Sequence, residues 1–517
     1  METQEQDQSE STLEVEPFGD DREGFVGAVE RLLVQTRKAC SGYVNSSSVV
    51  RMSEQCVGEN DTVLERSFGL DLKDLLVLAA ITQAPLSLRG VTDCGKTALA
   101  ELGLNALLGR HGKKWWRAEI SRGMSEDDMI DINVSKLKKD SLSKAVSAAE
   151  WLAYPGRLLD EINRAPAKLN NILLHLIDGS GLHLRGGLHV PVGQPYGVGG
   201  SPKRYSYTIT TANEQGADYD GTFAEDMALL RRIVLSVNLD HLAPSVHDVA
   251  RLIDNERPGI KLPECESMME LIVRVYESLP GTVPLSPLAR LFLVYLSGLG
   301  NCVRTRSGRM RPELQSELCK NCHLSKANRF CGHVGGLSSG LLLWTKDLSK
   351  GLAAIRAAKL LLTVREDCES GRLSELREFL ASDTPMEELY EAFRSRYLTG
   401  LSVCGEDIVC AYGLIAPHHV YIDREWLNKQ ASYERSEHYA FADIASSSWE
   451  ALLRTLSTRK ALFGSLAKSN ELSAPELAEI ETLVTTENAA MLSVISLLRE
   501  EDVPLKLNEA TRAGQAA

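Results

Sequence analysis

Leu86-Ser-Leu-Arg-Gly90-Val-Thr-Asp-Cys-Gly95-Lys96-Thr97-Ala98-Leu-Ala-Glu-Leu102 reads as a strand, a glycine-bounded turn and the first turns of a helix. Its centre fits G-x-x-x-x-G-K-[ST] without a gap, and the strand–loop–helix setting gives that pattern a mechanism. The glycines let the backbone fold tightly, so that successive N–H groups face an anion. The helix N-terminus adds partial positive charge. Gly90, Val91, Thr92, Asp93, Cys94, Gly95, Lys96, Thr97 and Ala98 are therefore the candidate contacts for a nucleotide such as ATP. Lys96 is placed to reach the β- and γ-phosphates, and Thr97 to ligate Mg²⁺.

Outward from this loop, β-prone stretches recur at Trp115–Ile120, Arg157–Leu159, Tyr205–Thr211 and Ile233–Val237. Helical patterns separate the first of them, and such alternation predicts a parallel sheet flanked by helices, an α/β class. A phosphate-binding loop needs a second magnesium carboxylate and a group to activate water. Leu158-Leu-Asp160-Glu161 offers both at a strand end: Asp160 for the metal, Glu161 for the water. Arg157 is an unexpected charge within that strand.

The run Asp160-Glu-Ile-Asn-Arg-Ala-Pro166, followed by a helical pattern, resembles the matching segment of MoxR-type AAA+ ATPases. Ser125-Glu-Asp-Asp-Met-Ile-Asp131 is similar to that family's serine–acidic segment. Gly181–Val192 looks like its β-hairpin, and the Gly186-Gly187 turn suits a hairpin on its own account. The resemblance implies a P-loop AAA+ core, an α-helical lid, ATP hydrolysis with Mg²⁺, a homo-oligomeric, hexamer-type ring and a partner carrying a von Willebrand A domain. It makes Asn213, at the end of Tyr205–Asn213, the sensor-1 residue. It places Arg231 and Arg232 at the arginine-finger position, Arg231 standing where the family has aspartate. The lid departs from the pattern: the basic residue nearest the expected sensor-2 arginine is Lys350, one position out of register, and lysine is a point charge rather than a fork. The resemblance covers residues 70–240 well and 245–365 loosely.

Beyond that core the sequence predicts a disordered leader over 1–20, and a domain over 21–240 that opens with one or two helices over 21–70 before the sheet. A helical lid over 241–400 and a mixed, then helical region over 401–517 follow, with a strand or two at Ile408–Tyr412 and Val420–Ile422. The lid carries a cysteine-rich insert at 302–335, where Cys302, Cys319, Cys322 and Cys331 have the spacing C-x16-C-x2-C-x8-C. Four thiolates suit tetrahedral Zn²⁺ or a [4Fe–4S] cluster, and free cysteines in a loop are the plainer alternative. The net charge of −13 argues against nucleic acid as the main partner. Eleven cysteines without a secretory leader place the chain in a reducing compartment, the cytoplasm. No run of about 18 apolar residues predicts a membrane span. Three functions fit: a ring ATPase that remodels a protein or assists cofactor or metal insertion, a nucleic-acid-linked ATPase with a metal module, and a nucleotide-binding switch with weak hydrolysis.

Overall fold

The computed structural model describes residues 13–57, 62–112, 114–125, 130–132, 146–184, 188–213, 227–242, 244–254, 262–299, 337–372, 374–380, 385, 388–420, 437–468, 472–486, 489–501, 503 and 505. The chain divides into two units, one of residues 1–47 and 72–282, the other of 48–71 and 283–517. This division crosses the expected boundaries: the first unit continues to 282 rather than 240, and a segment near the N-terminus belongs to the second.

The first unit is built on five parallel strands: β1 (Leu86–Gly90), β2 (Trp115–Glu119), β3 (Gly156–Asp160), β4 (Tyr207–Asn213) and β5 (Leu235–Asn238). Their spatial order is β5-β1-β4-β3-β2. β4 is thus inserted between β1 and β3, with Asn213 opposite Gly90 and Thr210 opposite Leu159. β3 and β4 are buried along their whole length, as expected of central strands covered on both faces. Helices α1 (Arg22–Ala39), α2 (Leu72–Thr82) and α3 (Lys96–Leu108) pack together, and α3 lies on β1 to β4. The closeness of α3 depends on Gly156, where a Cβ would come within 2.3 Å of Leu108 Cδ1. Helices α4 (Asn170–Asp178) and α5 (Met227–Arg232) pack on each other, and Leu173, Leu176, Leu159, Ala212 and Ile233 share one cluster. Helices α6 (Val246–Asp254) and α7 (Met269–Thr282) complete this unit, α7 packing on α1 and α2. The hairpin expected at Gly181–Val192 pairs Leu182–Leu184 with Leu188–Val190, antiparallel.

Arg157, the charge inside β3, is fully buried. It donates to the carbonyls of Leu152 (3.5 Å) and Tyr154 (3.1 Å) and to the Ser206 hydroxyl. Burial lowers its pKa to about 9. It serves as a tie at the start of the strand, far from the strand's functional end.

The second unit contains an antiparallel hairpin, Val50–Val57 with Val63–Leu70, in register from Val50↔Leu70 to Val57↔Val63. Its helices include α8 (Pro287–Gly298), α9 (Ser339–Glu369), α10 (Ser374–Leu380), α11 (Leu389–Thr399), α12 (Gly405–His419) and α13 (Glu437–Thr458). Within 21–70, α1 is a helix as expected, and the hairpin stands where a second helix was expected. Val50, Met52, Cys56, Leu64 and Leu70 are buried at strand spacing, but Glu54 interrupts the inward set, which hides the alternation. Glu54 pairs with the Arg356 guanidinium of α9. Arg356 also binds Asp407 through Nε–Oδ1 (2.8 Å) and Nη2–Oδ2 (2.9 Å), and donates to Tyr397 Oη at 3.0 Å. The strand expected at Ile408–Tyr412 is likewise corrected: it lies inside α12. From Gly405 to Pro417 all residues but Glu406 are buried, so no polar stripe marks the helical period. Asp407 caps that helix by accepting from Cys404 N–H at 2.9 Å. Val420 follows the helix, and residues 421 and 422 lie outside the described residues.

Candidate nucleotide site

β1 delivers the loop to the carboxyl end of the sheet, the usual place for ligands in open α/β folds. Gly90 (φ +141°) and Gly95 (φ +83°) occupy backbone conformations that side chains avoid, and Asp93 (φ +66°) joins them. A Cβ on Gly90 would sit 2.9 Å from Cys94 Sγ and 3.0 Å from Asp240 Oδ1. Val91, Thr92 and Asp93 are exposed and Lys96 is buried. Its ammonium donates to the loop carbonyls of Gly90 (2.9 Å) and Val91 (2.6 Å), with Cys94 Sγ 3.5 Å away. Gly95 caps α3 without a side-chain hydrogen bond, leaving the amides of its first turn to the loop. Ala98 is on that first turn.

The acidic pair stands where β3 ends. Asp160, nearly inaccessible at 2% exposure, receives three hydrogen bonds from three residues. Its Oδ1 accepts from Thr97 Oγ1 at 2.9 Å and from Thr211 Oγ1 at 2.5 Å. Its Oδ2 accepts from Arg117 Nη2 at 2.5 Å. Arg117 reaches on to Glu101 Oε1 at 3.0 Å. Burial opposes the charge on Arg117, but Asp160 and Glu101 raise its pKa above the ordinary guanidinium value. Glu161 adopts φ +57°, a strained conformation for a non-glycine residue. Its N–H donates to Thr211 Oγ1 at 2.9 Å, and its carboxylate pairs with Arg164 at 2.8 Å.

Asn213 ends β4 beside the loop, 8% exposed, its carbonyl accepting from Asn163 Nδ2 at 3.0 Å. Together these place Gly90–Ala98, Asp160, Glu161 and Asn213 at one end of one sheet. This is a glycine-bounded loop and an acidic pair at the carboxyl end of a parallel α/β sheet.

Other candidates stand apart. Arg231 and Arg232 are exposed on α5, and Arg232 pairs with the Asp178 carboxylate of α4. Lys350 lies half-buried on α9 in the second unit, where burial and Lys346 lower its pKa against the pull of Asp347. Cys302, Cys319, Cys322 and Cys331 lie outside the described residues. Among the described residues no group of three or more His, Cys, Asp or Glu could hold a metal ion. Among them, too, no helix is long and apolar enough to cross a membrane.

Sequence reasoning missed four residues of this site: Thr211, Arg117, Asp240 and Tyr43. Thr211 had a signal, since it lies two residues before Asn213 and so on the same face of β4. Arg117 had a weaker one, as a cation within a short apolar strand. Asp240 accepts from Val91 N–H at 2.8 Å, bracing the loop from the end of β5. Tyr43 lies against Gly95, where a Cβ would be 3.1 Å from Tyr43 Cε2. Burial, then Cys94, raises its pKa. Its segment is tied by Asn45 Nδ2 to the Leu242 carbonyl (3.0 Å) and by Ser46 to Asp248. No local sequence pattern links positions so far apart.

No protein-family model and no curated protein matches the chain. Solved structures do. One, described as a "putative ATPase" from Cytophaga hutchinsonii, is 13% identical, with 82% of this chain and 95% of that chain covered and a TM-score of 0.48. A full-length MCM homolog from Methanopyrus kandleri is 12% identical over 67% of this chain and 58% of that one, with a TM-score of 0.34. NtrX from Brucella abortus, in complex with ADP, is 18% identical over 32% and 34%, with a TM-score of 0.20.

Proposed function

We propose that the chain is a MoxR-type AAA+ ATPase that hydrolyses ATP to ADP and phosphate and uses the cycle to remodel a partner protein. The carrying observation is the 2.9 Å contact between Thr97 Oγ1 and Asp160 Oδ1 at the head of the glycine loop. A hydroxyl and a carboxylate side by side form a hard oxygen donor set of the kind Mg²⁺ takes with a substrate phosphate. The residues present therefore fit that ion: Thr97 and Asp160 would hold it, and it would neutralise charge on the phosphates.

Lys96 supplies an ammonium that exchanges the carbonyls of Gly90 and Val91 for phosphate oxygens. The amides of residues 91–97 point the helix end at the same group. Glu161, fixed by its N–H bond to Thr211, orients the attacking water and receives its proton. Asn213 at the end of β4 holds that water from the other side. Arg231 or Arg232, exposed on α5, serves the site of a neighbouring copy, where a guanidinium stabilises charge developing on the γ-phosphate. That role calls for a ring. The client is a protein, with a von Willebrand A domain partner as the leading form.

The test is phosphate release and nucleotide binding by Lys96→Ala and Glu161→Gln. The alanine variant loses ATP binding, and the glutamine variant binds ATP but turns over at least about 100-fold more slowly. Wild-type turnover in either removes the assignment. Brisk hydrolysis by a protein that stays monomeric in ATP refutes the ring and the arginine finger.

A further inference from the structure

Asp160 has a partner on each oxygen, and the two sides differ in kind. Oδ1 takes two neutral hydroxyls, from Thr97 and Thr211, whereas Oδ2 takes a cation, Arg117, at 2.5 Å. A full positive charge therefore already occupies the carboxylate to which the proposed magnesium site looks. Two cations this close repel, and a doubly charged ion repels a guanidinium twice as strongly as a singly charged one.

Arg117 also has somewhere to go. Its side chain, 37% exposed, hangs from β2, at one end of the five-stranded order, and its Nη1 already holds Glu101. On that side a cleft of about 380 Å³ is lined by Glu101, His111, Trp115, Arg117, Glu119 and Leu262. Two carboxylates in that cleft, Glu101 and Glu119, suit a guanidinium released from Asp160.

We propose that Arg117 is a positioning latch: it holds the Asp160 carboxylate in place before metal arrives, competes with Mg²⁺ for Oδ2, and swings to Glu101 and Glu119 as the metal binds. This deepens the ATPase reading and rests on it. The latch sets how much metal the site requires, and with it how much bound nucleotide is held in the metal-loaded form. Glu101 decides the balance, because it pulls the guanidinium away from Asp160.

The experiment measures metal affinity rather than turnover. The full-length protein is saturated with ADP and titrated with Mn²⁺, and free Mn²⁺ is read by its electron paramagnetic resonance signal. Arg117→Gln binds Mn²⁺ about tenfold tighter than the wild type, because one opposing charge is gone. Arg117→Lys keeps the charge and stays within about threefold of the wild type. Glu101→Gln, which frees Arg117 to favour Asp160, shifts affinity the other way. Unchanged or weaker Mn²⁺ binding by a folded Arg117→Gln overturns the latch and leaves the ATPase reading standing. If Arg117→Gln does not fold, tighter or unchanged binding by Glu101→Gln overturns it instead. A wild-type protein that binds no ADP brings down the nucleotide site and the latch together.

Discussion

Replacing Thr211 by valine keeps the shape of the side chain and removes one oxygen, which makes it a sharp probe of the acidic pair. Thr211 is 1% exposed, so water does not replace the lost hydroxyl, and the near-equal volume leaves no cavity. The hydroxyl does two things: it donates to Asp160 Oδ1 at 2.5 Å and accepts the Glu161 N–H at 2.9 Å. A hydrogen bond to a charged group contributes about 1.5–3 kcal/mol, and an orphaned buried N–H costs about 1–3 kcal/mol. The sum, about 2.5–6 kcal/mol, is an upper range, because Thr97 and Arg117 still hold Asp160. Glu161 is the more sensitive of the two. Its left-handed backbone stores about 1–3 kcal/mol, and the bond to Thr211 is among the contacts that hold it there. Valine at 211 lets that backbone relax and turns the carboxylate away from the water. If about 1.4–2.7 kcal/mol of the loss falls on the transition state, kcat drops about 10- to 100-fold. KM for ATP changes little, since the loop and Lys96 are untouched. Thr211→Ser, which keeps the oxygen, retains most activity. Steady-state phosphate release and urea denaturation on the three proteins separate these effects. A folded Thr211→Val with wild-type kcat, or a serine variant as slow as valine, refutes the reasoning.

In the second unit, Asp407→Ala leaves Arg356 buried with Glu54 as its remaining counter-charge and uncaps α12. Urea denaturation is expected to show a loss of about 3–5 kcal/mol, with a smaller loss for Asp407→Asn. A pH effect is expected at Asp248. Burial alone raises its pKa, but the N–H and hydroxyl groups of Ser46 and Ser245 outweigh it and hold the carboxyl well below the usual range. A depressed folded pKa contributes stability that is complete above the unfolded value of about 3.9 and fades as pH falls through the folded one. The stability gap between the wild type and Asp248→Asn, from urea midpoints, should therefore be constant from about pH 7 to pH 5 and narrow in stronger acid.

The loop and its neighbours were legible because their chemistry is local. Gly90 to Thr97 is one contiguous segment whose backbone demands are met by glycine, and Asp160-Glu161 sits at the end of an apolar strand. The strands of the sheet were visible for the same reason, since burial on both faces leaves continuous apolar runs. What stayed hidden was long-range. Thr211, Arg117 and Asp240 meet at the site only after the sheet has formed, and each is an ordinary residue in its own stretch. The hairpin at 50–70 was missed because Glu54 stands at an inward position, with its partner Arg356 about 300 residues away. The α12 segment failed in the opposite manner, since a helix buried nearly all round has no periodic face to reveal its pitch.

The hairpin belongs to a unit whose other members come more than 210 residues later, so synthesis imposes a waiting period on it. At about 5–20 residues per second, the ribosome needs about fifteen to sixty seconds between releasing Leu70 and completing α9. During that interval Glu54 lacks its Arg356 partner and the hairpin lacks the helices that later pack on it. The newborn chain thus carries an unfinished ribbon while the first unit's segments are already complete, and the ribbon's stability waits on the last-made part of the chain.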